Sequence, residues 1–221
     1  DAVVSYLLHY AGKEPGFFIG GKPMNFDANY ALGRGDYFVI EGDEYETAFF
    51  DRSSKFLKYH PYYLILTALE YDHLDFFSDE GLYLKAFQNL VHQVPSEGLI
   101  IVNHDYPMNA RAVEKAFTPV VTYGTVDNPD YLIKDLEYKN GGYAFTLKNG
   151  ARESRFTTSL PGKYNAWNLT AGIILGQRLG IPGKTLQEAV ESFAGVERRL
   201  NKINQLGNTL FLEDFAHHPT A

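Results

Sequence analysis

Short apolar runs recur along the first half of the chain. Four of them read as strands that are covered on both faces of a sheet, because such strands need apolar side chains at nearly every position. These runs are 37–40, 62–66, 99–102 and 119–123. Helical periodicity at 82–91 and 106–117 makes helices alternate with the later strands. The alternation predicts an open α/β fold with a mostly parallel sheet and flanking helices.

The second half of the chain has a different pattern. Three segments alternate apolar and polar residues with Asn-Gly pairs between them, and they predict a small antiparallel meander with tight turns. The segments are 131–138, 143–147 and 154–159. Helices are predicted at 165–179 and 185–193, the second with Thr185 as N-cap and Glu188 completing a capping box. A last pair of strands is predicted near 201–205 and 209–212.

The composition of the chain argues against several classes of function. The chain has 221 residues and is 45% hydrophobic, which suffices for one large domain. A net charge of −7 argues against a nucleic-acid surface, which needs clustered Lys and Arg. No apolar run approaches the roughly 18 residues of a membrane helix, so no membrane segment is expected. Without cysteine, neither disulfides nor thiolate metal sites are expected, and this fits the cytoplasm.

Two segments partly match a phosphate-binding loop. The first, 16–22, has the spacing G-x-x-x-x-G-K, but Pro23 stands where Ser or Thr ligates magnesium, and it has no N–H for a phosphate. In the second, 183–185, Arg178 occupies the position of the first glycine. We expect neither segment to bind phosphate.

Polar side chains follow two of the predicted strands. Glu41 comes directly after 37–40, where a carboxylate at a buried strand end needs a cation or a donor. Asp72 and His73 follow 62–66. Sequential strands are neighbours in about two-thirds of cases, which would bring Glu41 and His73 to one crevice. Carboxylate and imidazole together suit Mg²⁺ or Mn²⁺ beside phosphates, whereas a lone strand-end acid would more simply face water.

Amide and guanidinium groups form a second candidate set. Asn165 and Asn168 are at i and i+3, so both project from one face of the helix start. Helix capping would explain the presence of Asn165 but not that of Asn168. Two side-chain amides on one face could instead bind the edge of a nucleobase, because each offers a donor and an acceptor. Arg198 and Arg199 are either solvated surface or a clamp for polyphosphate.

Five motifs in a fixed order, spread over nearly the whole chain, resemble the Mur ligase family of ATP-dependent amide ligases. They are Glu-x-Asp-Glu at 41–44, Asp-His at 72–73, Gly-x-x-Asn-x-x-Asn at 162–168, Gly-Val-x-Arg-Arg-Leu at 195–200 and Asp-Phe-Ala-His-His-Pro-Thr at 214–220. The stretches 18–26 and 43–51 are similar to members that attach a recycled peptide rather than L-alanine.

The resemblance implies a reaction. UDP-N-acetylmuramate would be joined to an L-alanyl-γ-D-glutamyl-meso-diaminopimelate peptide through an acyl phosphate, with ATP and Mg²⁺, in peptidoglycan recycling. The resemblance also implies residue roles. Glu41 and His73 would bind magnesium, and Asn165 and Asn168 would contact adenine. Arg199 would contact the phosphates, Asp214 the ribose, and His217 would lie near the nucleotide. Glu41, His73 and Arg199 would serve the catalysis, since such sites place cations around transferring phosphate oxygens.

The resemblance also implies a domain division. Residues 1–200 would be the ATP-binding central domain without its first strand and phosphate loop, and 201–221 the start of the C-terminal domain. The loop Gly-Thr-x-Gly-Lys-Thr would directly precede Asp1. The isolated chain is expected to be inactive, because the UDP-binding domain and most of the C-terminal domain are also missing from it. Ala68 stands where Asn is expected.

Other functions compete with this interpretation. An L-alanine-adding ligase is the alternative within the family. Asp72, His73 and Asp75 would suit a metal-dependent hydrolase, and the chain could also be an inert nucleotide-binding module. His217 and His218 with Asp214 look superficially like a further metal site, but adjacent histidines on an extended backbone point in different directions, so at most one would bind a given ion.

Overall fold

The computed structural model describes residues 1–71, 77–126 and 128–216. The helices in this part are α1 (Ala2–Tyr10), α2 (Glu80–Val91), α3 (Pro107–Val113), α4 (Tyr164–Arg178) and α5 (Gly183–Ser192). The strands are β1 (Gly16–Phe18), β2 (Tyr30–Ala31), β3 (Phe38–Ile40), β4 (Glu46–Ala48), β5 (Asp51–Ser54), β6 (Tyr63–Leu66), β7 (Leu99–Asn103), β8 (Val120–Gly124), β9 (Tyr131–Lys139), β10 (Gly142–Asn149), β11 (Arg152–Thr158), β12 (Asn201–Leu206) and β13 (Thr209–Glu213). A 3₁₀ turn, Lys55–Lys58, follows β5.

The chain folds into two compact units. The first comprises Asp1–Glu41, Asp135–Phe145 and Arg155–Ala221, and the second comprises Gly42–Lys134 and Thr146–Ser154. None of the helices in the described ranges is long and apolar enough to cross a membrane.

The largest sheet has six strands in the order β11-β10-β9-β8-β7-β6. Strands β6, β7 and β8 are parallel, with Leu64 opposite Ile100 and Ile100 opposite Val120. Strand β9 adds parallel to β8, with Tyr131 opposite Tyr123. Strands β9, β10 and β11 follow one another through two-residue turns, a connection that only antiparallel neighbours allow. The predicted mostly parallel α/β sheet with a small meander is confirmed.

The core of the second unit lies between α2 and this sheet. Every residue of β7 is buried, and Ile100 and Ile101 are wholly inaccessible. Phe87 and Val91 of α2 belong to the same apolar cluster as Ile100. Each side chain of this size stabilises the fold by about 1.5–3 kcal/mol when fully buried. Asp79 begins α2 by accepting a hydrogen bond of 2.9 Å from the backbone nitrogen of Leu82.

In the first unit, helix α1 packs against α4 and α5. Gly172 of α4 allows a close approach, because a methyl group there would lie 2.8 Å from Val3 and 2.9 Å from Leu7. A three-stranded sheet with the order β2-β1-β3 completes this unit. Strands β1 and β3 are parallel, with Phe18 opposite Ile40.

Two local predictions were wrong. Helix α5 begins at Gly183, after the extended Pro182, so Thr185 lies inside the first turn and does not cap the helix. The strand predicted at 37–40 was expected beside the strand at 62–66. Instead β3 pairs with β1, while β6 pairs with β7 in the six-stranded sheet. The prediction failed because β1, only three residues long, shows no alternation that would mark it as a strand.

Candidate functional site

Glu41 directly follows β3, and the main chain holds one oxygen of its carboxylate. Oε2 accepts a hydrogen bond of 2.6 Å from the backbone nitrogen of Gly20. Both Glu41 and part of β3 are exposed, so the prediction of a buried strand end here is wrong. The bond therefore orients the carboxylate rather than compensating a buried charge.

Glu41 also acts on the start of α1. The carboxylate of Glu41 lies within electrostatic reach of the backbone nitrogen of Asp1. Asp1 directly precedes α1, where helical N–H groups lack partners and the helix dipole is positive. A carboxylate and a helix N-terminus therefore lie close together in this unit.

The loop after β1 joins Glu41 to the segment before the paired arginines. Gly21 packs on Val196, and the backbone nitrogen of Glu197 donates to the carbonyl of Lys22 at 2.9 Å. The side chains of Lys22 and Glu197 form an ion pair of 3.0 Å, half exposed and so worth at most about 1 kcal/mol. The loop is the second part of the 16–22 segment that resembled a phosphate loop, and the first three residues of that segment form β1.

Arg198 and Arg199 differ in their surroundings. Arg198 pairs with Glu213 at 3.2 Å and lies over the ring of Phe215, 5.0 Å from its centroid. Its φ is +61° and that of Leu200 is +52°, conformations that non-glycine residues rarely adopt. Strain of this kind concentrates at functional sites and ligand clamps. Arg199 thus lies between two residues with left-handed backbone conformations.

The start of α4 holds the predicted amides. The side-chain nitrogen of Asn165 donates to the carbonyl of Pro161 at 2.6 Å, so Asn165 closes the turn before the helix instead of capping it. The N-cap is Lys163. Asn168 is half-buried one turn further on.

Tyr164 is a residue that the sequence reasoning missed. Its ring packs on Gly162, where a methyl group would lie 2.5 Å from Cε1. Burial raises the pKa of the Tyr164 phenol, the charge of Asp214 raises it further, and Arg199 and a hydrogen bond with Asn165 oppose the shift. Tyr164 therefore lies within hydrogen-bonding reach of Asn165 and within electrostatic reach of Arg199 and Asp214, a set that we call the neighbourhood of Tyr164. The sequence signal for Tyr164 was its place beside the two amides on one helix face.

Both predicted histidines lie outside the described residues. This applies to His73, with Asp72 and Asp75, and to His217. The predicted pair of Glu41 and His73 and the rival hydrolase set therefore stay predictions. In the ranges 1–71, 77–126 and 128–216, no three His, Asp or Glu side chains converge as a metal site.

In the second unit, polar side chains tie together the carboxyl ends of the parallel strands. Asn109 is wholly buried, and its side-chain nitrogen donates to the carbonyls of Asn103 at 2.8 Å and Thr67 at 3.3 Å. The carboxylate of Asp105 accepts hydrogen bonds from the backbone nitrogen and hydroxyl of Thr125 at 2.8 and 2.9 Å. These bonds fix β6, β7 and β8 at the edge where open α/β sheets bind ligands.

The sequence matches the family described as "Mur ligase middle domain" over residues 25–176, more than half of the chain. The chain belongs to the Mur ligase family. This Mur ligase chain is 34% identical over 220 residues to the UDP-N-acetylmuramate–L-alanyl-γ-D-glutamyl-meso-2,6-diaminoheptandioate ligase of Escherichia coli K12, covering 99% of the chain and 48% of that protein. It is 32% identical over 219 residues to the UDP-N-acetylmuramate–L-alanine ligase of Anaeromyxobacter dehalogenans, covering 99% and 46%.

Solved structures agree with this membership. The UDP-N-acetylmuramate:L-alanyl-γ-D-glutamyl-meso-diaminopimelate ligase from Neisseria meningitides superposes with a TM-score of 0.79 at 34% identity, over 89% of this Mur ligase chain and 63% of that one. The chain spans about half the length of the curated relatives it matches.

Proposed function

We propose that this chain is the ATP-binding part of a longer ligase that joins UDP-N-acetylmuramate to a murein peptide, L-alanyl-γ-D-glutamyl-meso-diaminopimelate. Residues 1–200 would form the nucleotide-binding domain, and 201–221 would begin the next domain. The observation that carries the proposal is the contact of Glu41 with Gly20 beside the start of α1, in the same unit as Arg199 and Asp214. As ATP and UDP-sugars are made in the cytoplasm, the reaction would take place there.

The nucleotide would be held mainly by the neighbourhood around Tyr164. Asn168 and the remaining hydrogen-bonding capacity of Asn165 suit an adenine edge. The carboxylate of Asp214 suits ribose hydroxyls, and Arg199 offers a planar fork of donors for phosphate oxygens. His217 would add to this set.

The residues present fit a magnesium ion in part. Mg²⁺ is commonly bound through one or two carboxylates together with substrate phosphates, and Glu41 keeps Oε1 available when Oε2 is held by Gly20. His73 lies outside the described residues, and its proposed role as a magnesium ligand rests on the motif resemblance alone. When bound, Mg²⁺ would neutralise charge on the phosphate oxygens.

The chemistry requires two displacements. The muramate carboxylate attacks the γ-phosphorus of ATP, ADP departs, and an acyl phosphate results. The peptide amine then attacks the acyl carbon, phosphate departs with the bonding pair, and the amine loses a proton. Arg199 would stabilise the charge that develops on the transferring phosphoryl oxygens, and the helix N-terminus beside Glu41 would add a positive dipole.

The L-alanine ligase is the second candidate, because the chain is nearly as similar to an L-alanine ligase, at 32%, as to a peptide ligase, at 34%. The segment 43–51 favours the peptide substrate.

Measurement of ADP release by the full-length ligase tests both candidate functions. The proposal expects ADP only when ATP, UDP-N-acetylmuramate and the peptide are all present, and it expects loss of turnover in Glu41→Ala. Release with L-alanine in place of the peptide would select the second candidate. Full turnover in Glu41→Ala, or metal-dependent hydrolysis without ATP, would overturn the proposal.

A further inference from the structure

We propose that Gly20 is a positioning residue for Glu41: its N–H holds Oε2 of the carboxylate, so that Oε1 is the oxygen presented to the cation. This inference rests on the proposed function. It adds a residue that touches neither nucleotide nor substrate and acts only through the orientation of Glu41.

The strand register brings the two residues together. Phe18 of β1 lies opposite Ile40 of β3 in a parallel pair. The backbone nitrogen of Glu41 then donates to the carbonyl of Phe18 at 3.2 Å, which continues the pairing by one residue. Two residues beyond Phe18, the nitrogen of Gly20 reaches the carboxylate at 2.6 Å. A charge-assisted bond of this length fixes the carboxylate in one orientation.

The residue before Gly20 is itself anchored. Ile19 is buried, its nitrogen donates to the carbonyl of Asn29 at 3.0 Å, and the side chain of Asn29 donates back to the carbonyl of Ile19 at 2.8 Å. The donor at Gly20 therefore has a fixed place before any ligand binds. Preorganisation of this kind is what a cation-binding carboxylate requires.

Space, rather than backbone conformation, limits side chains at 20 and 21: a methyl group would displace the Glu41 carboxylate by a few tenths of an ångström at 20 and would clash at 21. Neither residue has a positive φ, so alanine would be conformationally allowed at both. A methyl group on Gly20 would lie 3.2 Å from Oε2 of Glu41, and one on Gly21 would lie 2.6 Å from Cγ1 of Val196. Any side chain at 20 pushes the carboxylate directly, while one at 21 moves the loop that carries the donor.

Cation binding by the full-length ligase tests the inference. Mn²⁺ replaces Mg²⁺ as the probe, and free Mn²⁺ is followed by electron paramagnetic resonance in the presence of ADP. Gly20→Ala should raise the Kd for Mn²⁺ roughly tenfold, the lower end of what outer-shell partners contribute. The matched control is Gly183→Ala, also a glycine of ordinary φ, whose methyl group would meet nothing within 4 Å. It should bind Mn²⁺ like the unmodified ligase.

A pair of compensating substitutions distinguishes a local change in the loop from misfolding of the protein. Gly21→Ala should weaken Mn²⁺ binding, and adding Val196→Ala, which removes the clashing methyl group, should restore it. Thermal melting of each variant reports folding separately. Mn²⁺ binding by folded Gly20→Ala and Gly21→Ala equal to that of Gly183→Ala would overturn the inference.

Glu41→Ala separates this inference from the proposed function. If Glu41→Ala loses Mn²⁺ binding and Gly20→Ala does not, only the role of Gly20 is refuted. If Glu41→Ala binds Mn²⁺ normally, the proposed magnesium site itself fails.

Discussion

The side-chain amide of Asn109 bridges two strands, donating to the carbonyl of Asn103 at 2.8 Å and to that of Thr67 at 3.3 Å. The amide is wholly buried, and its Oδ1 has no hydrogen-bond partner within the described ranges. One donor group thus satisfies the ends of both β6 and β7. Water cannot easily replace the bond to Asn103, since both residues of that bond are buried.

Replacing Asn109 by Leu should therefore destabilise the fold. The buried carbonyl of Asn103 loses its donor, as does the carbonyl of the exposed Thr67, and we expect the free energy of unfolding to fall by about 2 kcal/mol. Urea denaturation measures the change. Gln88→Met is the matched control, because Gln88 makes the same kind of bond, to the carbonyl of Arg111 at 3.2 Å, at an exposed position. Its effect should stay within about 0.5 kcal/mol. Equal losses in the two variants would contradict the argument.

Tyr123 is a second buried polar group with a distinct pH signature. Its hydroxyl is inaccessible and lacks a hydrogen-bond partner in the described part of the chain. Burial first, then the charges of Asp105 and Tyr106, raise the pKa of its phenol. The folded state thus keeps the proton when the unfolded state begins to lose it, near pH 10. Stability from Tyr123 is present below that pH and is lost as the pH rises above it.

Tyr123→Phe should remove this alkaline loss. At pH 7 we expect the free energy of unfolding to stay within about 1 kcal/mol of the original, because no bond is lost. Above pH 10 the free energy of unfolding of the variant should increasingly exceed that of the unmodified chain. Urea denaturation at several pH values measures the difference. Tyr138→Phe, which removes an exposed hydroxyl, is the control. Parallel pH profiles for the unmodified chain and Tyr123→Phe would refute the prediction.

The sequence predicted the long elements better than the short ones. The run that became β7 is apolar because every one of its residues is buried, and that leaves a clear pattern, while β8 is half-buried over its first three residues. Strand β1 has three residues and its identity depends on pairing with β3, a long-range contact that no local period encodes. Because β1 was not predicted as a strand, the predicted neighbour of β3 was also wrong.

Part of the candidate site was also predictable. The roles of Asn165, Arg199 and Asp214 were proposed from a motif resemblance and stay predictions, although all three residues influence the pKa of Tyr164. Gly20 was not predicted as a site residue, because it would act through its backbone nitrogen and through the space that the lack of a side chain leaves. Neither property distinguishes one glycine of a sequence from another.

The surroundings of Tyr164 give a direct test of this neighbourhood. The negative charge of Asp214 raises the pKa of the phenol and the positive charge of Arg199 lowers it. Asp214→Asn should therefore lower the Tyr164 pKa, and Arg199→Gln should raise it. NMR titration of ¹³Cζ-labelled tyrosine, with Tyr164→Phe assigning the signal, measures both shifts. If neither substitution moves the signal, the three residues do not share a site.

The hairpin of β12 and β13 bears on the proposed domain boundary at residue 200. Every residue from 202 to 216 is exposed, including large apolar side chains. These side chains are Ile203, Leu206, Leu210, Phe211, Leu212 and Phe215. An apolar surface of this extent is typical of a segment that another part of a protein covers. It is held to the segment before it by polar contacts, such as the ion pair of Arg198 with Glu213 and the hydrogen bond from the nitrogen of Phe215 to the carbonyl of Arg198.

Deleting 201–221 should accordingly leave the fold intact. Because no buried apolar side chain is lost from 202–216, we expect the free energy of unfolding to change by less than about 1 kcal/mol. Binding of the dye ANS, which reports exposed apolar surface, should fall in the shortened chain. The comparison is Phe211→Ser with Leu212→Ser, which lowers apolar exposure without shortening the chain and should reduce dye binding in part. A loss of several kcal/mol on deletion would mean that the hairpin belongs to the nucleotide-binding domain, and that the boundary lies elsewhere.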